Sequence, residues 1–466
     1  MSLILSFDEI VSACQGELKT QIDEALPELQ QVAIDTRTIS KPALFVALKG
    51  ERANGHDYLE QAREQGAVVA LVEDFQPVQM TQIKVDDCQK ALVAIAKATR
   101  AAFQGKVSAI TGSSGKTSTK EALVALLKPH YWVSFTQGNQ NNELGVPLTL
   151  VNLDANAEQL VLEMGARKPG DIKALMEIAS PDVAMITNIG VAHIEIFGSQ
   201  EQIFEAKSEI YQGLDNGGVA IINRDDPFFE QLEKKSAHVK KSLSFSIEDA
   251  LADVYASDVV LAPESTKFCL HYQDVSVDCS INQSGKHALI NVLAASACAL
   301  VLGVQSLDEL IKGMSDLSTI SGRNQVLNGN WGGSLIDDSY NANPLSTKAA
   351  IDLLALYDQR KILVLGDMGE LGNQSTEMHQ EVLQYACDQH IDEVLVSGFR
   401  MQQAAKQFER IRAFDSLDHL LVGLKMLLKK DDVVLLKGSR SEKLEQLIPP
   451  LTNESENSDK ETAKCS

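Results

Sequence analysis

KVSAITGSSGKTSTKEALVALLK, residues 106–128, runs from an apolar stretch through a glycine turn into leucines and valines that recur at helical spacing. That order predicts a strand, a tight loop and a helix. Glycines in the loop let backbone N–H groups approach a phosphate, and the helix N-terminus behind them adds positive potential. Within Gly112-Ser113-Ser114-Gly115-Lys116-Thr117, Lys116 is placed to bridge phosphates and Thr117 to bind Mg²⁺. Ile110 stands where the full G-x-x-x-x-G-K-[ST] pattern has its first glycine, so that pattern is met only in part.

Outward from this loop, apolar runs at Leu160–Met164, Val183–Thr187 and Val219–Asn223 are each bounded by turn residues. They predict the buried strands of a doubly wound α/β sheet in a central domain. After Ser321-Gly322-Arg323 the scheme recurs. KILVLG, EVLVSG and DVVLLKG alternate with helical stretches beginning near Ser375, Met401 and Ser416, which predicts a Rossmann-like third domain. Before the loop, short apolar runs at Ala43–Leu48 and Ala67–Val72 mix with helical patches, as in a small separate α/β domain. The expected division is 1–83, 84–316 and 317–451, with the polar tail 452–466 disordered.

The whole chain fits this division, since 466 residues exceed one ordinary hydrophobic core. Hydrophobic residues at 44% and charged residues at 23% exclude a mainly disordered, fibrous or membrane-embedded protein. A formal charge of −22 argues against nucleic acid, because neutralising phosphates needs clustered Lys and Arg. An anionic substrate would need local positive groups and metal ions to overcome that background. Seven scattered cysteines without a C-x-x-C suggest neither a zinc site nor a disulfide framework, and fit a reducing cytoplasm. MSLILSFDEI meets acid at Asp8 and Glu9, unlike a signal peptide, and the alanine-rich Ala288–Val304 is short for a membrane span. A cytoplasmic monomer without membrane insertion is expected.

Glu163 ends the apolar run in LVLEMGA, and His193 follows another in TNIGVAHIEIFGS. Both fall at carboxyl ends of central strands, where open α/β sheets bind ligands. Lys207, in FEAKSEIY, follows on the next helix. Taken singly, these residues have plainer readings: a strand-end carboxylate, a satisfied histidine and an exposed helical lysine near Glu209.

Nine segments in order weigh against the plainer readings. TGSSGKTSTK, TQGNQNNELGVPLTL, LEMGA, TNIGVAHIEIFGS, AKSEIY, HALINVLAA, SGR, DDSYNANP and LGDMGELG are arranged as in the Mur ligases of peptidoglycan synthesis. The chain resembles that family over nearly its whole length. The resemblance implies an ATP- and Mg²⁺-dependent carboxylate–amine ligase working through an acyl phosphate, with a small N-terminal UDP-sugar-binding domain. LGDMGELG and DDSYNANP resemble the branch that adds D-alanyl-D-alanine to UDP-N-acetylmuramoyl-tripeptide.

Residue by residue, the resemblance implies that Lys116 and Thr117 hold the ATP phosphates and a first Mg²⁺, while Glu163 and His193 contact magnesium. Lys207 is similar to the family's carbamylated lysine, whose anionic oxygen is a ligand that hard Mg²⁺ favours. Asn291 is similar to the adenine contact. Arg323 and Asp338 are similar to groups that reach the nucleotide from the third domain, Asp338 through the ribose hydroxyls. Thr36, Arg37 and Lys49 through His56 match the UDP-sugar region, and Asn139, Asn141 and Asn142 the polar loop that meets the muramoyl end. In both regions ordinary turns remain an alternative.

Three other functions stay open on sequence: a related ligase adding a single amino acid, a folylpolyglutamate synthase, and a nucleotide-dependent switch. The D-N-P-R sequence associated with diaminopimelate recognition is absent, which opposes the first.

Overall fold

The structure, a computed structural model, describes residues 3–20, 26–40, 42–51, 53–192, 194–317 and 319–452. His193, Arg52 and the polar tail from residue 453 therefore lie outside the described residues.

Three sheets follow one another along the chain. In the first, Gln31–Ala33, Ala43–Val46, Ala67–Val72 and Thr81–Lys84 run parallel in that order, and Glu17–Lys19 adds an antiparallel edge to Thr81–Lys84. Asn152 ties this sheet to the next domain. Its amide oxygen accepts the Val32 N–H at 2.8 Å and its amide nitrogen donates to the Val32 carbonyl at 2.9 Å, so the side chain pairs with an edge strand as another strand would.

The second sheet is built around Lys106–Thr111. Gln159–Glu163 and then Val133–Phe135 lie on one side of it, and Val183–Ile186, Val219–Asn223 and Lys241–Ser246 on the other, all parallel. The strand order thus reverses at Lys106–Thr111, and such a switch point opens a crevice at the carboxyl ends of the strands. Beyond Lys241–Ser246 the sheet continues through Val254–Ala262, which pairs parallel, into antiparallel Ser265–Tyr272 and Val275–Ile281. Sequence reading by apolar runs passed over this extension. Its strands alternate buried with half-exposed residues, so no continuous apolar run marks them.

Helix Lys116–Leu127 buries Leu123, Val124, Leu126 and Leu127 against helix Lys286–Val301, whose Ala294, Ala295, Ala297 and Ala299 allow close approach. Each of those leucine or valine side chains contributes on the order of 1.5–3 kcal/mol by leaving water. The stretch considered above as a membrane span is this core helix, and among the described residues no helix is long and apolar enough to cross a membrane.

In the third sheet Gln325–Asn328 pairs antiparallel with Ser334–Asp338. Parallel Val433–Lys437, Lys361–Leu365, Glu393–Val396 and Ile411–Ala413 follow in that order. Helices Ser375–Asp388, Phe399–Ala405 and Leu417–Leu427 match the three predicted starts within two residues. Thr452, expected within the disordered tail, instead bridges to Gly329 and donates its hydroxyl to the Ile448 carbonyl at 3.0 Å.

Candidate active site

The phosphate loop lies at the switch point, held by the neighbouring strand end. The Ser113 N–H donates to the Asn188 carbonyl at 3.0 Å, the Ser114 N–H to Asn188 Oδ1 at 3.0 Å, and Thr187 Oγ1 to the Ser114 carbonyl at 2.6 Å. Two glycines are required by this packing. A Cβ on Gly112 would fall 1.8 Å from Thr187 Oγ1, and one on Gly115 2.5 Å from Asn291 Oδ1 at a φ of +77°. Ser113 and Ser114, within the loop read above as the phosphate site, thus spend their N–H groups on bracing it. The donors left for a polyanion are the N–H groups of the first helical turn, Lys116, Thr117 and Ser118, which have no intrahelical partner by position. Lys116 Nζ donates to the Gly112 carbonyl at 2.7 Å, folded back over the loop. Burial lowers the Lys116 pKa; Arg323 lowers it further and Glu163 opposes the change.

Glu163 ends its strand buried, beside the loop. Its Oε1 accepts Asn141 Nδ2 at 2.8 Å, while Oε2 is buried without a partner among the described residues. A buried carboxylate oxygen with no donor is costly unless a cation meets it, so this acceptor suits a hard metal ion. Lys207 is 1% exposed, which removes the reading of an exposed helical lysine. Burial, with the Lys116 charge adding to it, holds its amine well below the ordinary lysine range. The nearby Glu209 is engaged elsewhere, accepting the N–H groups of Gly170 at 2.7 Å and Lys173 at 2.9 Å. In the asparagine loop, Asn142 Oδ1 accepts the Gly145 N–H at 2.9 Å, at the start of the helix Gly145–Val151. Asn141 alone of the three reaches Glu163; Asn139 is exposed.

A cavity of about 720 Å³ opens beside the loop, lined by Ser118, His287, Asn291, Arg323 and Asn324 among others. Asn291 lies mid-helix, not at a cap, and its Oδ1 accepts Thr119 Oγ1 at 3.1 Å. Arg323 Nη2 donates to Thr117 Oγ1 at 3.2 Å, and its guanidinium sits 4.6 Å from the Tyr340 ring centre. Asp338 ends its strand rather than a turn and is buried against Lys437, with Nζ to Oδ2 at 2.6 Å. Burial raises its carboxyl above the usual range despite that partner.

The first-domain candidates are arranged differently. Thr36 is buried, while Arg37 is exposed and pairs with Asp35 at 2.5 Å. Lys49 pairs with Glu73. His56 Nε2 accepts the Glu73 N–H at 2.9 Å, so its proton is on Nδ1, which donates to Asn54 Oδ1 at 2.9 Å.

With this geometry in view, likeness to known proteins is informative. Residues 28–103 match the Mur ligase family catalytic domain, 110–299 the Mur ligase middle domain, and 322–440 the Mur ligase glutamate ligase domain. The UDP-N-acetylmuramoyl-tripeptide–D-alanyl-D-alanine ligase of Escherichia coli K12 is 35% identical, the match covering 91% of this chain and 94% of that protein. The chain belongs to the Mur ligase family. The Bacillus subtilis ligase of the same name is 37% identical over 90% of this chain and 92% of its own length. Among solved structures, MurF from Acinetobacter baumannii is 34% identical, covers 95% of this chain and 98% of its own, and superposes with a TM-score of 0.87. MurF ligase from Thermotoga maritima, solved with ADP, is 32% identical, covers 90% of this chain and 96% of its own, and superposes at 0.79.

Sequence reading of this Mur ligase missed three positioning groups. Asn188 was inside a quoted motif but unassigned. Asp226 supports the same turn by accepting the Ile189 N–H at 2.7 Å, and Lys437 partners Asp338. The last was legible as the only charge at the end of the apolar run DVVLLK.

Proposed function

We propose that this Mur ligase joins D-alanyl-D-alanine to UDP-N-acetylmuramoyl-tripeptide, with ATP converted to ADP and phosphate. The observation that carries this reading is the extent of the likeness: relatives named for that reaction match over about nine-tenths of both chains, acceptor-side domain included. The ligase is ATP-dependent. The division 1–83, 84–316 and 317–451 would assign the UDP-sugar to the first domain, ATP to the second and closure over it to the third.

A carboxylate is a poor electrophile, so amide formation in water requires activation. The tripeptide carboxylate attacks the γ-phosphate of ATP to give an acyl phosphate and ADP. The D-alanyl-D-alanine amine then attacks the acyl carbon and phosphate leaves. The first-turn N–H groups and Lys116 receive the phosphates and offset charge that would repel the incoming carboxylate. Thr117 and Glu163 fit Mg²⁺, as the partnerless Glu163 Oε2 indicates, and the ion would supply further charge neutralisation at the phosphates. His193 is proposed beside Glu163 on the resemblance alone. Lys207, whose burial favours the neutral amine, is suited to add CO₂ with loss of one proton, giving a carbamate that would serve as an anionic ligand. Asn291, Arg323 and Asp338 are proposed for the nucleoside and phosphates; Thr36, Arg37, Asn139, Asn141 and Asn142 for the UDP-muramoyl substrate.

The test is an acceptor screen with UDP-muramoyl peptides, ATP and Mg²⁺, following ADP and product mass. The expected product is the UDP-muramoyl pentapeptide. ADP release with a single amino acid, and none with D-alanyl-D-alanine, would move the chain to another branch of the family.

A further inference from the structure

LGDMGELG, residues 365–372, has no part in the chemistry above. Its backbone nevertheless makes the third domain's contact with the segment that leads into the Lys207 helix. The Glu195 N–H donates to the Glu370 carbonyl at 3.2 Å. Gly372, at a φ of +55°, lies so near that a Cβ on it would be 3.2 Å from Glu195 Cα. Glu195 belongs to the short helix Ile194–Phe197, separated by Gly198 and the extended cap Ser199 from Gln200–Gln212, the helix carrying Lys207. Glu370 itself is held at a φ of +60°, a conformation that a non-glycine residue keeps only when its surroundings impose it.

An anchor for this loop lies beneath it. His379, in helix Ser375–Asp388, is fully buried. Its Nε2 accepts the Met368 N–H at 3.0 Å, so that nitrogen bears no proton, and Nδ1–H donates to the Ser375 carbonyl at 2.6 Å. Met368 is itself buried, and Thr347 Oγ1 lies 3.6 Å from its sulfur. The imidazole therefore fastens both ends of the span from Met368 to Ser375, with Glu370 and Gly372 between them.

We propose that His379 is a positioning residue for ligation, holding the 366–374 loop in the shape that docks the third domain on Ile194–Phe197 of the central domain. The inference rests on the ligase reading for its kinetic consequence but not for the docking itself. The acyl phosphate is open to water until the third domain is seated, so a loosened dock slows amide formation.

The experiment uses the full chain with three substitutions. His379→Leu fills the space but offers Met368 no acceptor. His379→Gln returns an acceptor near the Nε2 position. Gly372→Val drives a branched side chain into Glu195 with His379 intact, and keeps the test alive if the leucine variant does not fold. Amide hydrogen exchange over 194–198 reports the dock without any substrate, and kcat and the KM for ATP report turnover. We expect His379→Leu, which loses one buried hydrogen-bond partner, and Gly372→Val, which forces the dock apart, each to raise exchange at Glu195 and lower kcat by about tenfold or more. The KM for ATP should rise as well, since Arg323 and Asp338 are proposed to reach the nucleotide from the third domain. His379→Gln should recover most of both. Folded leucine and valine variants with wild-type exchange and kcat would overturn the proposal. So would a leucine variant that melts earlier but keeps both values per folded molecule. Were the wild-type chain inactive toward D-alanyl-D-alanine, the ligase reading would fail while the exchange measurement still decided the dock.

Discussion

The phosphate site of the central domain and the candidate uridine site of the first domain are both rich in charge, yet they are assembled by different means. Around Lys116 the backbone of Gly112–Ser114 is braced by Thr187 and Asn188, and Glu163 and Lys207 are buried before any ligand arrives. In the first domain Arg37 and Lys49 are exposed and each is taken up by a neighbouring carboxylate. Buried groups have incurred their desolvation cost during folding and present a fixed field, whereas exposed pairs are worth little and rearrange readily. The central residues suit chemistry on a polyanion, and the first-domain candidates suit adjustable binding.

The largest effects should therefore come from the central lysines. Lys116→Ala is expected to cut kcat by roughly 10²–10³-fold or more, the scale of losing one preorganised electrostatic group, with an unchanged melting temperature. Turnover near wild type would break the assignment of the ATP site. Lys207→Ala and Lys207→Arg should be comparably impaired, because arginine keeps a charge but forms no carbamate. Stripping dissolved CO₂ should lower wild-type activity and bicarbonate restore it, and a short-chain carboxylic acid should partly rescue the alanine variant. A fully active Arg variant would remove the carbamate from the mechanism.

Asp338 tests whether the third domain is as preorganised as the central one. Asp338→Ala leaves the Lys437 ammonium buried without its carboxylate, and breaking such a pair costs about 3–5 kcal/mol. Chemical denaturation should show this loss beside a raised KM for ATP. The double change Asp338→Asn with Lys437→Met should recover most of the stability but not the KM, separating the ion pair from nucleotide binding. Recovery of both would make Asp338 purely structural.

How legible each region was in sequence follows from the same contrast. The phosphate loop could be read because glycine placement and the strand–helix switch are local, and the close approaches at Gly112 and Gly115 show why those glycines are needed. Strands such as Gln159–Glu163, Val183–Ile186 and Val219–Asn223 were read because burial on both faces makes them continuous apolar runs, whereas the half-exposed parallel strands Val133–Phe135 and Lys241–Ser246 were not. The antiparallel extension 254–281 was not, since half of each strand faces outward. Asn188, Asp226 and His379 act through partners tens of residues distant or through backbone atoms, and no local spacing signals that. His56 appeared as a binding candidate, yet the structure engages both its nitrogens in holding a turn.

His287 extends the comparison to pH. It lines the cavity beside the phosphate loop, accepts Asn324 Nδ2 at 2.8 Å, and burial pulls its pKa down to about 4. An unfolded histidine titrates near 6.5, so above that pH both states are neutral and the full stability is present. As the pH falls from about 6.5 to about 4 the unfolded chain takes up a proton that the folded chain refuses. Stability should drop by about 1.4 kcal/mol per pH unit across that window. The difference in slope between wild type and His287→Gln in denaturant melts isolates this contribution from the carboxylates. Parallel slopes would place His287 in contact with water.

The smallest effect belongs to the first domain, and it is the sharpest test of the contrast. Arg37 is exposed and tied to Asp35, two residues away, which also accepts the Arg37 N–H at 3.0 Å and caps the short helix Thr36–Thr38. Removing the guanidinium leaves that cap in place, because the backbone donor remains. Arg37→Ala should therefore leave the melting temperature unchanged, while Asp35→Ala, which removes the cap itself, should lower it. If Arg37 swings from Asp35 to the anionic UDP-muramoyl substrate, its loss should raise the KM for that substrate by roughly threefold to tenfold and leave kcat and the KM for ATP alone, the pattern of a contact equally strong in the ground and transition states. Higher salt should narrow the gap between Arg37→Ala and wild type, since screening weakens an exposed charge far more than a buried one. A fall in kcat with unchanged KM would mean that Arg37 acts on the reacting groups, and the division between a chemical site and a merely adhesive one would have to be redrawn.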